Sequence, residues 1–446
     1  MRHTPFFVCH WPHASTNCKA FDVEICTMRS VIIAFLLLFA SIAVAAERPP
    51  NIVLIMADDF GYECVGANGS TSYQTPRLDA LAASGMRFTQ CYAMPLCTPS
   101  RVQLMTGRYN FRNYVRFGEF DFRERTFAHF LKEAGYKTAI AGKWQLAGGL
   151  DGPHKAGFDE YCLWQIFAAD KGSRYAGPKI HQNGKLLTGL EKRYGPDLFF
   201  EFLQDFVTRH RDQPFLVYWP MVLTHNPFEP TPDSKPGAKP ANPSNFPDMV
   251  RYMDKNVGKL VDHLEKLKLR ENTLIFFTGD NGTAQKIRSK LGDRVVLGGK
   301  GKTTTSGTHV PLIANWPGKI AAGKVSNDLV DFTDMLPTLL DVGGKQPPKD
   351  HLLDGRSFLH QLRGETGNPR EWIFCHYEPR HGQNNTKERF AQDQRWKLYQ
   401  DGRLFDLRDD EDEKKPVPKE STRPGAPEAR QRLQAVLDRY EREKPF

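Results

Sequence analysis

Cys97 opens the run Cys97-Thr98-Pro99-Ser100-Arg101. Proline suits the first turn of a helix, and the run is expected to stay helical to about Thr106. A side chain at that start meets the positive end of the helix dipole, and Arg101 adds a full charge one turn on. Such surroundings suit an anionic substrate and a nucleophile of depressed pKa. Read alone, the run would equally describe a small apolar residue buried at a helix start. Three further polar groups follow stretches of strand character: Asp58-Asp59, His225 and Asp280-Asn281. Acidic pairs at strand ends also serve as caps and turn formers. Two pairs on two strands favour a metal, and their oxygen-only donors suit Ca2+, with Mg2+ second, over zinc.

Those groups need a scaffold that gathers them. Asn51–Ala57 is a continuous apolar, β-branched run, the pattern of a strand buried on both faces. Helical periodicity over Pro76–Ala83, Thr126–Ala134, Asp197–Arg211 and Met249–Lys266 alternates with strand-like runs at Lys137–Gly142, Phe215–Pro220 and Leu274–Thr278. This alternation predicts an α/β fold, a large mostly parallel sheet sandwiched by helices. Ligands of such sheets bind beyond the carboxyl ends of the strands, where the acidic pairs and His225 fall. After about Thr366 the pattern shortens to Trp372–Tyr377, Trp396–Tyr399 and Arg403–Phe405, then a terminal helix near Glu428–Glu443. The expected organisation is an extension and signal over 1–45, a catalytic α/β domain over 46–365 and a small antiparallel C-terminal subdomain over 366–446.

The segment Cys97-Thr-Pro-Ser-Arg-Val-Gln-Leu-Met-Thr-Gly-Arg108 resembles the signature of type I, formylglycine-dependent sulfatases of the alkaline phosphatase superfamily. Gly135-Tyr-Lys-Thr-Ala-Ile-Ala-Gly-Lys-Trp144 resembles the second signature of that family. Asn51–Asp59 and Phe277-Thr-Gly-Asp-Asn-Gly282 match in the same order, so the likeness covers roughly residues 50–410. The resemblance implies that a separate formylglycine-generating enzyme converts Cys97 to an aldehyde whose hydrate attacks sulfur. It implies a metal held by Asp58, Asp59, Asp280, Asn281 and the group at position 97. Arg101, Lys143, His225 and Lys300 (Lys302 second) would surround the sulfate, with His225 protonating the leaving oxygen. The implied substrate is a sulfate ester, arylsulfatase-like, on a small molecule or glycan.

Two departures stand out. The family carries histidine after Gly-Lys-Trp, whereas Gln145 stands here and can hydrogen-bond the diol or substrate but not accept a proton. His154 and His309 are the remaining candidate bases. Thr305-Ser306-Gly307-Thr308-His309 replaces the usual Glu-Gly-Gly-x-Arg, which reads as a rebuilt substrate-side loop. Two other readings stay open: a phosphodiesterase or phosphonate monoester hydrolase of the same superfamily, and a sulfoglycan-binding relative without turnover.

A net charge of +9 would draw polyanions, yet no zinc-knuckle spacing, RNP-like run or basic helix points to nucleic acid. Met28-Arg29-Ser30, the apolar run Val31–Phe39 and Ala43-Val-Ala45 read as an export signal over about 28–45, too short for a stable membrane anchor. A secreted or periplasmic location follows as an expectation. Beyond it remain Cys64, Cys91, Cys97, Cys162 and Cys375; with Cys97 set aside, four are left for burial or for one or two bridges.

Overall fold

The computed structural model describes residues 8, 10, 48–169, 171–379 and 387–443. The expected signal segment lies outside them. Along the chain come β1 (Asn51–Ala57), β2 (Met86–Tyr92), β3 (Lys137–Lys143) and β4 (Glu160–Trp164). Short β5 (Ile180–Gln182) and β6 (Lys185–Leu186) precede β7 (Phe215–Pro220) and β8 (Thr273–Gly279). A hairpin of β9 (Arg288–Leu291) and β10 (Arg294–Leu297) separates these from β11 (His309–Asn315) and β12 (Lys324–Asp331).

Ten of these strands form one sheet in the order β12-β2-β11-β8-β1-β7-β3-β4-β5-β6. Its centre, β8-β1-β7-β3-β4, is parallel. Antiparallel β11 joins it between β8 and β2. β1 shows why the centre is apolar on successive residues. Val53, Ile55 and Ala57 face one core, and Ile52, Leu54 and Met56 face the other. The first core is closed by α1 (Pro76–Ala83), α4 (Gly195–Arg209) and α5 (Phe246–Lys266), the second by α2 (Cys97–Thr106), α3 (Phe127–Glu133) and α6 (Met335–Val342). Thr126 caps α3, its hydroxyl accepting from the Ala128 amide, so the helix expected over Thr126–Ala134 begins one residue later, at Phe127.

Among the strands that sequence periodicity passes over are β2, β4, β11 and β12, with the short hairpins β5-β6 and β9-β10. β2 mixes buried with half-buried positions and β12 is exposed over much of its first half, which blurs both apolar patterns. The segment read as a rebuilt substrate-side loop forms a short helical turn, Thr305–Thr308, that feeds straight into β11 at His309. Backbone pairing with Tyr92 fixes it there.

A four-stranded antiparallel sheet, β13 (Ile373–Tyr377), β14 (Glu388–Gln392), β15 (Trp396–Tyr399) and β16 (Leu404–Asp406), follows, with α7 (Ala426–Arg442) packed on it. The described residues from Pro49 onwards pack as one unit. One tie between the sheets is ionic: Arg370 donates from Nε and Nη2 to the two oxygens of Asp334, both at 2.6 Å, with both side chains 2% exposed. All five described cysteines are free thiols and buried, so the bridge expectation gives way to plain packing. Arg370→Met leaves the Asp334 carboxylate buried without its cation, and should cost about 3–5 kcal/mol. The check is urea unfolding; an unchanged midpoint would contradict it.

Candidate active site

The site begins where β1 runs out. Asp58 and Asp59 follow its last residue and are fully buried. Asp58 receives the Lys143 ammonium on both carboxylate oxygens at 2.8 Å, and Lys143 is the last residue of β3. Asp59 adopts a left-handed φ of 58°, a conformation the short polar side chain of aspartate tolerates. Its Oδ2 accepts from Lys300 at 2.7 Å, and its Oδ1 from the Asn281 amide at 2.9 Å.

β8 delivers the second acidic pair beside the first. The Asp280 amide donates to the Ala57 carbonyl at 2.9 Å, and Asp280 Oδ1 accepts from the Asp59 amide at 3.0 Å. Gly279 permits this closure: a Cβ there would sit 1.9 Å from the Phe60 carbonyl oxygen. Residues about 220 apart in sequence thus share one pocket floor.

Cys97 begins α2 and points into the same pocket, its thiol donating to Gln145 Oε1 at 3.1 Å. Gln145 lies just past β3 with φ 54°. The expected depressed thiol pKa is corrected here. Burial pushes the Cys97 thiol up; Lys143 opposes it, but Asp280 and Asp58 add to the rise. Arg101 donates from Nη1 to the Lys143 carbonyl at 2.6 Å and holds Nε 3.8 Å from Asp280 Oδ2. It braces the end of β3 and supplies charge to the acidic floor.

A cation fits this donor set. One ligand atom from each of Asp58, Cys97 and Asp280 lies within 4.8 Å of the others, and the same holds for Asp58, Asp59 and His225. Asp280 Oδ2 and Asn281 Oδ1 are buried with no hydrogen-bond partner, the kind of orphaned oxygen a metal satisfies. Burial would raise Asp58, but Lys143, His225, Arg101 and Lys300 together hold it well below the usual carboxylate range. Burial and the neighbouring Asp58 charge push Asp280 the other way. The same surroundings thus favour the charged form of Asp58 and the neutral form of Asp280.

His225 completes the wall. Its Nδ1 lies on the Asn226 carbonyl, so the neutral ring carries its lone pair on Nε2, 2.7 Å from Lys300 Nζ and 3.7 Å from Asp59. Burial pulls this imidazole down to about 4 despite Asp59 and Asp58. Burial would lower Lys300, yet Asp59 and its neighbours push it up, so the proton between the two sits on Lys300. Lys302 is exposed and takes no part in this pairing.

The two histidines considered as substitutes for a base at position 145 are engaged elsewhere. His154 bonds the Phe158 carbonyl, and His309 bonds the Thr89 carbonyl while stacked between Tyr62 and Tyr92. One residue that sequence reasoning missed does reach the site. Arg174 places Nη1 3.5 Å from Asp58 Oδ2, from a loop with no motif or periodicity to mark it. A pocket of about 410 Å3 adjoins Lys300, lined also by Leu96, Asn226, Phe228, Ala284, Gln285, Lys286 and Gly301.

Comparison with known proteins agrees with this arrangement. The family described as Sulfatase matches residues 50–345, and that described as N-sulphoglucosamine sulphohydrolase, C-terminal, matches residues 303–442. N-acetylgalactosamine-6-sulfatase of Canis lupus familiaris is 34% identical over 358 residues, covering 72% of this chain and 67% of that protein. Arylsulfatase A of Bos taurus is 36% identical over 370 residues, covering 74% and 71%. The crystal structure of Ps i-CgsB superposes with a TM-score of 0.76 at 27% identity, covering 88% of this chain and 93% of that one. With these matches the chain belongs to the type I sulfatases of the alkaline phosphatase superfamily. It is a sulfuric ester hydrolase, and its family generally uses formylglycine and a divalent metal.

A raised Asp280 pKa has a consequence for the metal. Where the free site holds that proton, a cation must displace it, so the bound state carries fewer protons and affinity rises with pH. Calorimetric titration with Ca2+ across the neutral range should show this rise together with proton release, both lost in Asp280→Ala. Affinity independent of pH would contradict the assignment.

Proposed function

We propose that this sulfatase hydrolyses sulfate esters on carbohydrates, using a formylglycine made from Cys97 and a Ca2+ ion held by Asp58, Asp59, Asp280 and Asn281. The observation that carries the reading is the Cys97 sulfur sharing one ligand-sized cluster with Asp58 and Asp280. A group at that atom stands within reach of both the metal ligands and the cations. Oxygen donors alone on the protein side suit Ca2+ over softer ions.

Converted to the aldehyde hydrate, residue 97 supplies a hydroxyl nucleophile for sulfur and a second hydroxyl whose deprotonation releases sulfate. Bound Ca2+ would supply charge for a sulfate oxygen and for the ionised hydroxyl. The chain's own side chains do the rest. Lys143 and Arg101 place positive charge beside the group at 97, balancing charge that builds on the transferred sulfate. Gln145 orients that group through its amide oxygen. Lys300 and His225 hold one proton between Nζ and Nε2 at 2.7 Å, at the edge of the pocket where the leaving alcohol would lie. Because that proton rests on Lys300, His225 protonates the leaving oxygen only by relaying it, Nε2 taking the proton from Nζ as the alcohol departs.

A carbohydrate as the alcohol is supported by the relatives. One is named for N-acetylgalactosamine-6-sulfate, and Ps i-CgsB is also seen in complex with k-i-k-neocarrahexaose. The adjoining pocket, lined by both polar and apolar side chains with Phe228 among them, suits a sugar. The reading requires a formylglycine-generating enzyme as partner and export through residues 28–45. Among the described residues no helix is long and apolar enough to cross a membrane.

Mass spectrometry of the tryptic fragment containing Cys97, from protein made in the native host, should show the aldehyde in place of the thiol. Cys97→Ala should reduce sulfate release to background. Active protein with an unmodified thiol throughout would overturn the mechanism.

A further inference from the structure

Arg174 lies outside every motif of the chain, yet its position is as well defined as that of any site residue. Its guanidinium carbon stacks 3.8 Å over the Trp164 ring, and Trp164 ends β4 beside the last residue of β3. Its side chain is 11% exposed. The loop around it is fastened on two sides. Tyr175 donates its hydroxyl to the Val222 carbonyl at 2.8 Å and also to the His225 carbonyl. Gly195 packs so tightly beneath the loop that a Cβ would stand 2.1 Å from the Arg174 carbonyl oxygen.

The guanidinium has five N–H donors in one plane. Stacking occupies its face, not those donors. Among the described residues its hydrogen-bond acceptor is Asp58, at a long 3.5 Å, because Lys143 already holds both oxygens of that carboxylate. The other donors are not sealed in the interior without partners, as two nitrogens of Arg101 are. A preorganised fork with open donors, beside a buried carboxylate at the pocket floor, is built for an oxyanion.

We propose that Arg174 is a substrate-binding residue, donating in-plane to oxygens of the sulfate group being transferred. The placement of that group beside Asp58 rests on the metal assignment proposed above. The rival role, contact with a second anionic group on the alcohol, would leave free sulfate unaffected. A purely structural role, as counterion to Asp58, would act on the metal instead.

The test uses Arg174→Gln and Arg174→Lys in the full-length protein, with inorganic sulfate and 4-nitrophenyl sulfate as probes. Sulfate binding is read by calorimetry and by product inhibition, metal content by elemental analysis and folding by thermal melting. Loss of hydrogen bonds to a charged group should weaken inorganic sulfate about ten- to hundredfold in Arg174→Gln. KM for the aryl ester should rise alongside, with metal content and melting temperature retained. Arg174→Lys, which keeps charge but not the fork, should fall between. Should the Gln variant not fold, the Lys variant carries the same comparison. Unchanged sulfate affinity in a folded variant would overturn the proposal, as would loss of bound metal in place of lost sulfate. A wild-type protein that binds sulfate through Arg174 but lacks formylglycine would count against the mechanism above and leave this assignment standing.

Discussion

Three carboxylates, Asp58, Asp59 and Asp280, meet in the interior at the ends of two neighbouring strands, and nearly everything around them answers that charge. Two unit charges 4 Å apart interact by about 4 kcal/mol at an effective dielectric of 20, so like charges so placed cannot stand uncompensated. Lys143 takes both oxygens of Asp58, Lys300 takes Asp59, and Arg101 leans on Asp280. Even so the compensation is uneven. Asp58 is held ionised and Asp280 is driven towards its neutral form. A floor that keeps orphaned oxygens on Asp280 and Asn281 is under-satisfied as protein and well suited to a cation.

The sheet explains why this concentration of charge is possible. Parallel strands end on the same side, so β1, β3 and β8 project their carboxyl-terminal residues into one crevice whatever their separation along the chain. Burial of both faces under helices removes water from the crevice floor. The same burial raises the Cys97 thiol and keeps His225 neutral, so neither works here as an isolated charged group. Their neighbours then define their parts: Gln145 beside the thiol and Lys300 beside the imidazole.

Much of this was legible in one dimension. The run Asn51–Ala57 announced a strand buried on both faces because β-branched residues at successive positions leave no solvent side. Phe215–Pro220 and Trp396–Tyr399 were readable to the residue. Strands at or near edges, such as β2 and β12, were not, since half-exposed positions break the pattern that burial writes. The turn Thr305–Thr308 looked like a loop because the pairing that makes β11 a strand lies on β2 and β8, far away in sequence.

The sequence by itself determined the inventory of the site. Oxygen donors sit after strands, a cysteine opens a helix, and cations lie near each, because local pattern and residue type are carried by neighbouring positions. Tertiary structure alone decided the relations among them. It pushed the thiol pKa up and moved the shared proton to Lys300. It turned His154 and His309 away and brought Arg174 in from an unmarked loop. Desolvation and Coulomb interactions depend on distances between groups remote in sequence, and those distances exist only once the sheet has formed.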